Sequence, residues 1–134
     1  MVWCSMKRAS EEWVAKAEGD WRTAQRELSA IEAPNFDAVC FHAQQCCEKY
    51  LKALLSESGS SFPKTHNLLF LLDLMLSTGA DLEVLRDALR RLDAGSVQFR
   101  YPGAAASPEV ARDALEDCRR CRATLRGHLG LSAT

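Results

Sequence analysis

Strand signals are missing from this chain. Nowhere in its 134 residues does a segment alternate apolar and polar side chains as a half-buried strand requires, which argues against a sheet-built fold. Long apolar runs are missing too: none approaches the roughly 18 residues of a membrane span. Residues 1–8 carry Lys7 and Arg8 but no apolar stretch follows, so they do not read as a secretory leader. There is no P-loop, no dinucleotide-binding glycine pattern and no carboxylate cluster of metal-ligand spacing, hence no pattern that points to a cofactor or a metal. Charge excess of either sign is also lacking. A formal charge of -1 gives no whole-molecule attraction to phosphate backbones, so any nucleic-acid contact has to be a local patch.

What is present suits one ordinary domain. An apolar share of 47% supplies a single core and a charged share of 26% covers its surface. The expected domain is residues 10–129, with residues 1–9 and 130–134 as flexible termini. The 6 cysteines do not form a disulfide framework. Cys40, Cys46 and Cys47 fall within one helical segment, and Cys46 and Cys47 point about 100° apart. Cys118 and Cys121 form a C-x-x-C inside a helical pattern, without the second pair or the nearby His that a zinc site needs and without the βαβ context of a redox pair. They read as small buried hydrophobes in a reducing cytoplasm.

Helical spacing runs through the whole chain. Residues 10–31 place Trp13, Ala17, Trp21, Ala24, Leu28 and Ile31 on one face, with Ser10 as the cap and Glu11 and Glu12 near the positive end. Pro34 breaks the chain. Asn35 then caps a second helix to about residue 58, with Phe36, Val39, Cys40, Ala43, Cys47, Tyr50, Leu51 and Leu54 facing inward. Thr65 is the expected cap of a third, residues 66–77. From Leu68 to Leu76 that helix is apolar nearly all round apart from Asp73, as in a helix packed on several sides or buried against a partner chain. Asp81 is expected to cap the fourth, with Leu82, Leu85, Leu89, Leu92, Ser96 and Phe99 on one face. Pro102-Gly103 fits a type II turn, and Tyr101, preceding proline, is biased away from helix. Ser107 and Pro108 open the fifth, with Val110, Ala114, Cys118, Cys121 and Leu125 inward. The prediction is an all-α, five-helix antiparallel up-and-down bundle.

Polar candidates stand out against this pattern. Arg100 ends the fourth helix beside a rigid turn, where its fork can either hydrogen-bond the last carbonyls or bind two oxygens of a phosphate. His66, placed in the first turn of the third helix, reads as a neutral His packed against a carbonyl or as a ligand group. His42 reads as a surface or interface residue. Gln44, Glu48 and Lys52 share one face at four-residue steps. They form either a solvated stripe with a Glu48–Lys52 pair, or a setting in which Glu48 holds Arg100. Arg112, Arg119, Arg120, Arg122 and Arg126 make a mildly basic strip on the fifth helix.

Three segments occur in a telling order: the run from Ala43 to Leu55, Pro63-Lys64-Thr65-His66-Asn67-Leu68, and Phe99-Arg100-Tyr101-Pro102-Gly103. Together they resemble the HEPN family of small helical domains, over nearly the whole chain. Ribonuclease members of that family carry an Arg, a short spacer and a His at the end of the penultimate long helix, two copies facing each other across a homodimer. Arg100 matches the Arg. Ala104, Ala105, Ala106 and Ser107 fill the place of the His, and no other His follows until His128. Alanine cannot move a proton at neutral pH, so the usual acid–base group is gone and no catalytic residue is expected. The chain is similar to the Arg-Tyr-Pro members. That resemblance implies a binding or regulatory module, a homodimer, with a nucleotide or RNA as ligand or a minimal nucleotidyltransferase as partner. Its ligand-binding residues are expected among Arg100, Tyr101, His66, Glu48, Lys52 and Gln44. A metal-independent ribonuclease toxin of a toxin–antitoxin pair, and a purely structural dimer module, are the alternatives.

Overall fold

The computed structural model describes residues 5–134. The expectations on the extreme N-terminus, a flexible segment and no leader, fall in part on residues 1–4 and lie outside the described residues. Among the described residues there are five α-helices and no strand: α1 Arg8–Leu28, α2 Phe36–Glu57, α3 Leu68–Ser77, α4 Arg86–Gln98 and α5 Pro108–His128. A single 3-10 turn, Glu83–Leu85, leads into α4. No described helix is long and apolar enough to cross a membrane.

The centre is α2, which packs against every other helix. Its fully buried Tyr50, Leu51 and Leu55 meet Leu68, Leu71 and Leu72 of α3, Leu89 of α4 and Leu125 of α5. Each such leucine contributes ~1.5–3 kcal/mol relative to exposure. The cysteines belong to this core: Cys40, Cys46, Cys47, Cys118 and Cys121 are buried free thiols. Burial pushes the Cys40 thiol up to about 11.

Helix ends follow local chemistry, though not always at the expected residue. Asn35 Oδ1 accepts from Ala38 N at 3.0 Å and Ser107 Oγ accepts from Val110 N at 3.1 Å, both at the expected caps. α1, however, begins at Arg8 after Lys7. Ser10 is therefore inside the first turn, buried, its hydroxyl unpaired among the described residues. α1 also stops at Leu28, so Ile31 lies beyond it, 98% exposed. The cap of α3 is Asn67, not Thr65. Asp81 caps nothing, because the chain enters α4 through the 3-10 turn. On α5 the inner face is led by Ala111, and Val110 points outward.

The end of α2 sets the path of the chain into the candidate site. Gly59 adopts φ 74°, and the Ser60 and Gly59 amides return to the Leu55 and Ser56 carbonyls at 2.9 and 3.1 Å. This is the paired closure that a left-handed residue after the cap permits. It turns residues 60–67 back along α2.

A polar cluster ties α1, α2 and α5. Arg122, buried at 7% side-chain exposure, donates through Nε and Nη2 to both Glu18 oxygens at 2.7 Å and lies over the Trp21 ring at 4.9 Å. Tyr50 also donates to Glu18, and Arg126 donates to the Tyr50 oxygen at 2.8 Å. Residues 130–134, expected to be flexible, offer the carbonyls of Ser132, Ala133 and Thr134 to Arg126 and Arg122. Two arginines of the basic strip are thus interior partners rather than a solvated face.

Burial alone would raise the Glu18 carboxyl, but hydrogen bonds from Arg122 and Tyr50 and the charges of Arg122 and Arg126 hold it below the usual range. Because its folded value lies below its unfolded value, its contribution is complete above the ordinary glutamate pKa, about 4.3. That contribution is lost as pH falls through the folded value. Glu18→Gln should flatten the acid limb of the stability profile over that window. Arg122→Ala should destabilise by about 3–5 kcal/mol, since Glu18 is left without its main partner. A urea-melt loss near that of an exposed pair, below about 1 kcal/mol, would contradict an interior role.

Candidate functional site

The returning segment lays His66 against α2. His66 sits just before α3, not in its first turn. Its Nδ1 pairs with Glu48 Oε1 at 3.0 Å. The imidazole is 79% exposed while the Glu48 side chain is 3% exposed. Glu48 Oε2 accepts from Lys52 Nζ at 3.1 Å, and Gln45 Nε2 donates to Glu48 Oε1 at 3.2 Å. Lys52 in turn rests 5.3 Å from the centre of the Trp13 ring.

Gln44, Glu48 and Lys52 are therefore buried together, so the stripe is not solvated, although the Glu48–Lys52 pair expected with it is present. α1 covers Lys52 with Trp13, and the returning chain covers Gln44 and Glu48. Glu48 does not hold Arg100 either, since its oxygens are taken within α2 and by His66.

The second wall is α4. Asp93 Oδ1 accepts from Gln44 Nε2 at 3.2 Å, and Asp93 Oδ2 accepts from the Leu68 amide at 2.9 Å. Asp93 thus reaches across to satisfy an amide at the start of α3, beside Asn67, whose Oδ1 accepts from Phe70 N at 3.0 Å. Burial raises the Asp93 carboxyl above its ordinary value, against the lowering effect of Gln44 and the Leu68 and Leu69 amides. Gln44 Nε2 also donates to the His66 carbonyl at 2.8 Å, so one amide clamps the returning segment to both α2 and α4.

Between these walls lies an open cleft of about 390 Å³, lined by Gln44, Thr65, His66, Asn67, Asp93, Ser96, Val97 and Arg100. Arg100 follows the α4 cap Phe99 and donates its backbone amide to Val97 O at 3.3 Å. Its guanidinium has no hydrogen bond or ion pair among the described residues, so the carbonyl-capping role is not realised. The following loop is anchored by the Ala106 amide, which donates to Asp37 Oδ1 at 2.7 Å. Of the expected site residues, Gln44, His66 and Arg100 line the cleft. Glu48 and Lys52 lie beneath it, and Tyr101, 63% exposed, is outside its lining.

Asp93 and Ser96 were missed as site residues. With Arg100 they form a polar line down α4 at three- and four-residue steps, a signal available in the sequence beside the apolar line already noted. His42, read as a surface residue, is half-buried and paired with Asp20 at 2.8 Å.

A five-helix bundle with a donor-bearing cleft between the α2–α3 connection and the end of α4 defines a small helical domain class, and comparison places it. The HEPN domain model matches residues 10–128. The chain belongs to the HEPN domain family. It is similar to TT1696 from Thermus thermophilus, with a TM-score of 0.78 and 25% identity over 91% of this chain and 99% of that one. ST0689, an archaeal HEPN homologue, shares the fold with a TM-score of 0.67 and 24% identity over 91% of this chain and 98% of its own. No curated protein matches the chain.

Asp93→Ala should leave the Gln44 amide and the Leu68 N–H short of a partner and cost about 1–3 kcal/mol. Asp93→Asn, which keeps one acceptor, should cost less. Equal and negligible losses in thermal melts would mean that Asp93 does not anchor the start of α3.

Proposed function

We propose that this HEPN domain is a non-enzymatic binding or regulatory module whose cleft takes a phosphate-bearing ligand, a nucleotide or an RNA phosphate. One observation carries this: each acceptor side chain of the cleft already takes a hydrogen bond from the fold, while several donors have none. Gln44 Oε1 accepts from Gln45, both Asp93 oxygens are engaged, and Asn67 Oδ1 serves α3. The hydroxyl of the buried Ser96 and the Arg100 guanidinium have no partner among the described residues. The Thr65 hydroxyl accepts from Asn67 N and keeps its own proton to give. A site of free donors suits a ligand made of acceptors, and a planar guanidinium suits one with two oxygens to offer.

Arg100→Ala should weaken binding of adenosine monophosphate by about 1.5–3 kcal/mol in calorimetric titration, with little change in stability because the side chain is exposed. Arg100→Lys should restore only part of it, an ammonium lacking the fork. Unchanged affinity in Arg100→Ala would remove the cleft from consideration. Robust metal-independent RNA cleavage by the purified protein, lost in Arg100→Ala, would favour the ribonuclease toxin instead.

The resemblance to the Arg-Tyr-Pro members supports two partner expectations, a second copy of the chain and a minimal nucleotidyltransferase. α3 is consistent with an interface. Leu68, Leu71, Leu72 and Met75 are covered by the chain itself, whereas Phe70 is 44% exposed and Leu69, Leu74 and Leu76 are half-buried. Sedimentation at micromolar concentration should show a dimer, burying on the order of 1,200–2,000 Å². A Phe70→Glu variant should shift it to monomer, and a wild-type monomer would leave the resemblance as the only support for pairing.

A further inference from the structure

The charges around the cleft cancel unless a proton is added. His66 pairs with Glu48 of α2, which Lys52 holds in turn, and Asp93 and Arg100 from α4 line the same cleft. The adjoining start of α3 contributes only the neutral Asn67. Lys52 and Arg100 offset Glu48 and Asp93, so an incoming anion meets no net attraction while His66 is neutral. Of these side-chain types, histidine is the one that changes charge near neutrality.

Its ring is already oriented for that change. Nδ1 is fixed on Glu48 Oε1 at 3.0 Å, on a carboxylate that is itself held by Lys52 and Gln45. Nε2 lies on the far side of the ring from Glu48, and the side chain is exposed in the cleft. A neutral His66 donating through Nδ1 has a lone pair at Nε2 and would repel a phosphate oxygen. A proton taken from solvent at Nε2 converts that lone pair into a donor and gives the cleft its net positive charge.

We infer that the ligand is a terminal phosphate monoester bound together with one proton, His66 serving as the imidazolium that bridges Glu48 and a phosphate oxygen, an inference that rests on the oxyanion reading of the cleft. A terminal phosphate suits the free groups better than a diester. It presents three unesterified oxygens and, above its second ionisation near pH ~6, close to two negative charges. The Arg100 fork, the Ser96 hydroxyl and the His66 ring all line the cleft, as many separate donor groups as a terminal phosphate has free oxygens. A diester linkage offers two free oxygens and one charge. The same chemistry is found on a free nucleotide and on the phosphorylated end of an RNA strand.

Calorimetric titration with adenosine monophosphate, in buffers of different ionisation enthalpy, counts the protons taken up. The expected result is an affinity that rises as pH is lowered from about 8.5 to 6.5, approaching the tenfold-per-unit limit for one proton, with matching proton uptake. His66→Gln should abolish both the slope and the uptake while keeping weaker, Arg100-dependent binding. The diester dinucleotide ApA should bind at least about tenfold more weakly, the factor expected from losing one interaction of about 1.4 kcal/mol.

Inorganic phosphate and an RNA carrying a terminal phosphate separate the sources. A similar slope with either supports the inference, and the tighter of them names the source. Proton uptake that survives in His66→Gln overturns it, as does ApA binding equal to that of the monophosphate. Binding that depends on Arg100 but not on pH overturns this inference alone. No binding of any phosphate by the wild-type protein overturns the oxyanion reading with it.

Discussion

A carboxylate removed from water must be paired and hydrogen-bonded or it will not stay charged, and the region around the cleft is organised by that requirement at Glu48. The residue is 2% exposed in the middle of the central helix. Lys52 neutralises it from one turn further along, and Gln45 and His66 supply the remaining hydrogen bonds. The lysine is in turn sheltered by Trp13 of α1. The histidine fixes the chain between α2 and α3, and the neighbouring Gln44 carries the connection to Asp93 on α4. One buried charge therefore couples four helices through directional contacts. An ion pair of this kind is weak evidence for net stability, but removing one partner is costly, which favours a single register.

The helical architecture was legible because three- and four-residue spacing repeats along every long segment, and burial follows it at Ala17, Trp21, Ala43, Leu51, Leu89 and Leu125. Ends were less legible. A periodic pattern can run past the helix that carries it, as at Ile31, where the chain has already left α1. Caps failed where several capable residues stand close together. Thr65 and Asn67 are both good N-caps by type, and the choice was made by Asp93, a residue far along the chain that satisfies the Leu68 amide. No local rule contains that contact.

The site was half legible for a related reason. Side-chain types marked Gln44, His66 and Arg100, and the fold brings all three to one cleft. The surroundings of Gln44 and His66 differ from expectation. A Gln–Glu–Lys stripe at four-residue steps is what a solvated helix face looks like. Here it is interior, because the segment after Gly59 doubles back over it. The expected Glu48–Arg100 pair was a reasonable match of charges, but Glu48 had nearer partners. Ser96 reads as part of the apolar face of α4, and Asp93 has no signal of its own beside that face.

Arginine usage separates structure from function in this molecule. On α5, Arg119 and Arg120 pair with Glu116 and Asp117, and Arg122 with Glu18. Arg91 of α4 is bidentate on Asp117. These guanidiniums have fork-shaped partners and their roles end there. Arg100 has the same fork and no partner among the described residues, though Asp93 lines the same cleft. Asp93 accepts on both oxygens from Gln44 and the Leu68 amide, and Glu48 is held by Lys52, Gln45 and His66, so neither carboxylate pairs with it. A positive side chain left unpaired beside two engaged carboxylates contributes no ion pair to stability. It is well explained if the missing partner comes from outside and brings its own negative charge.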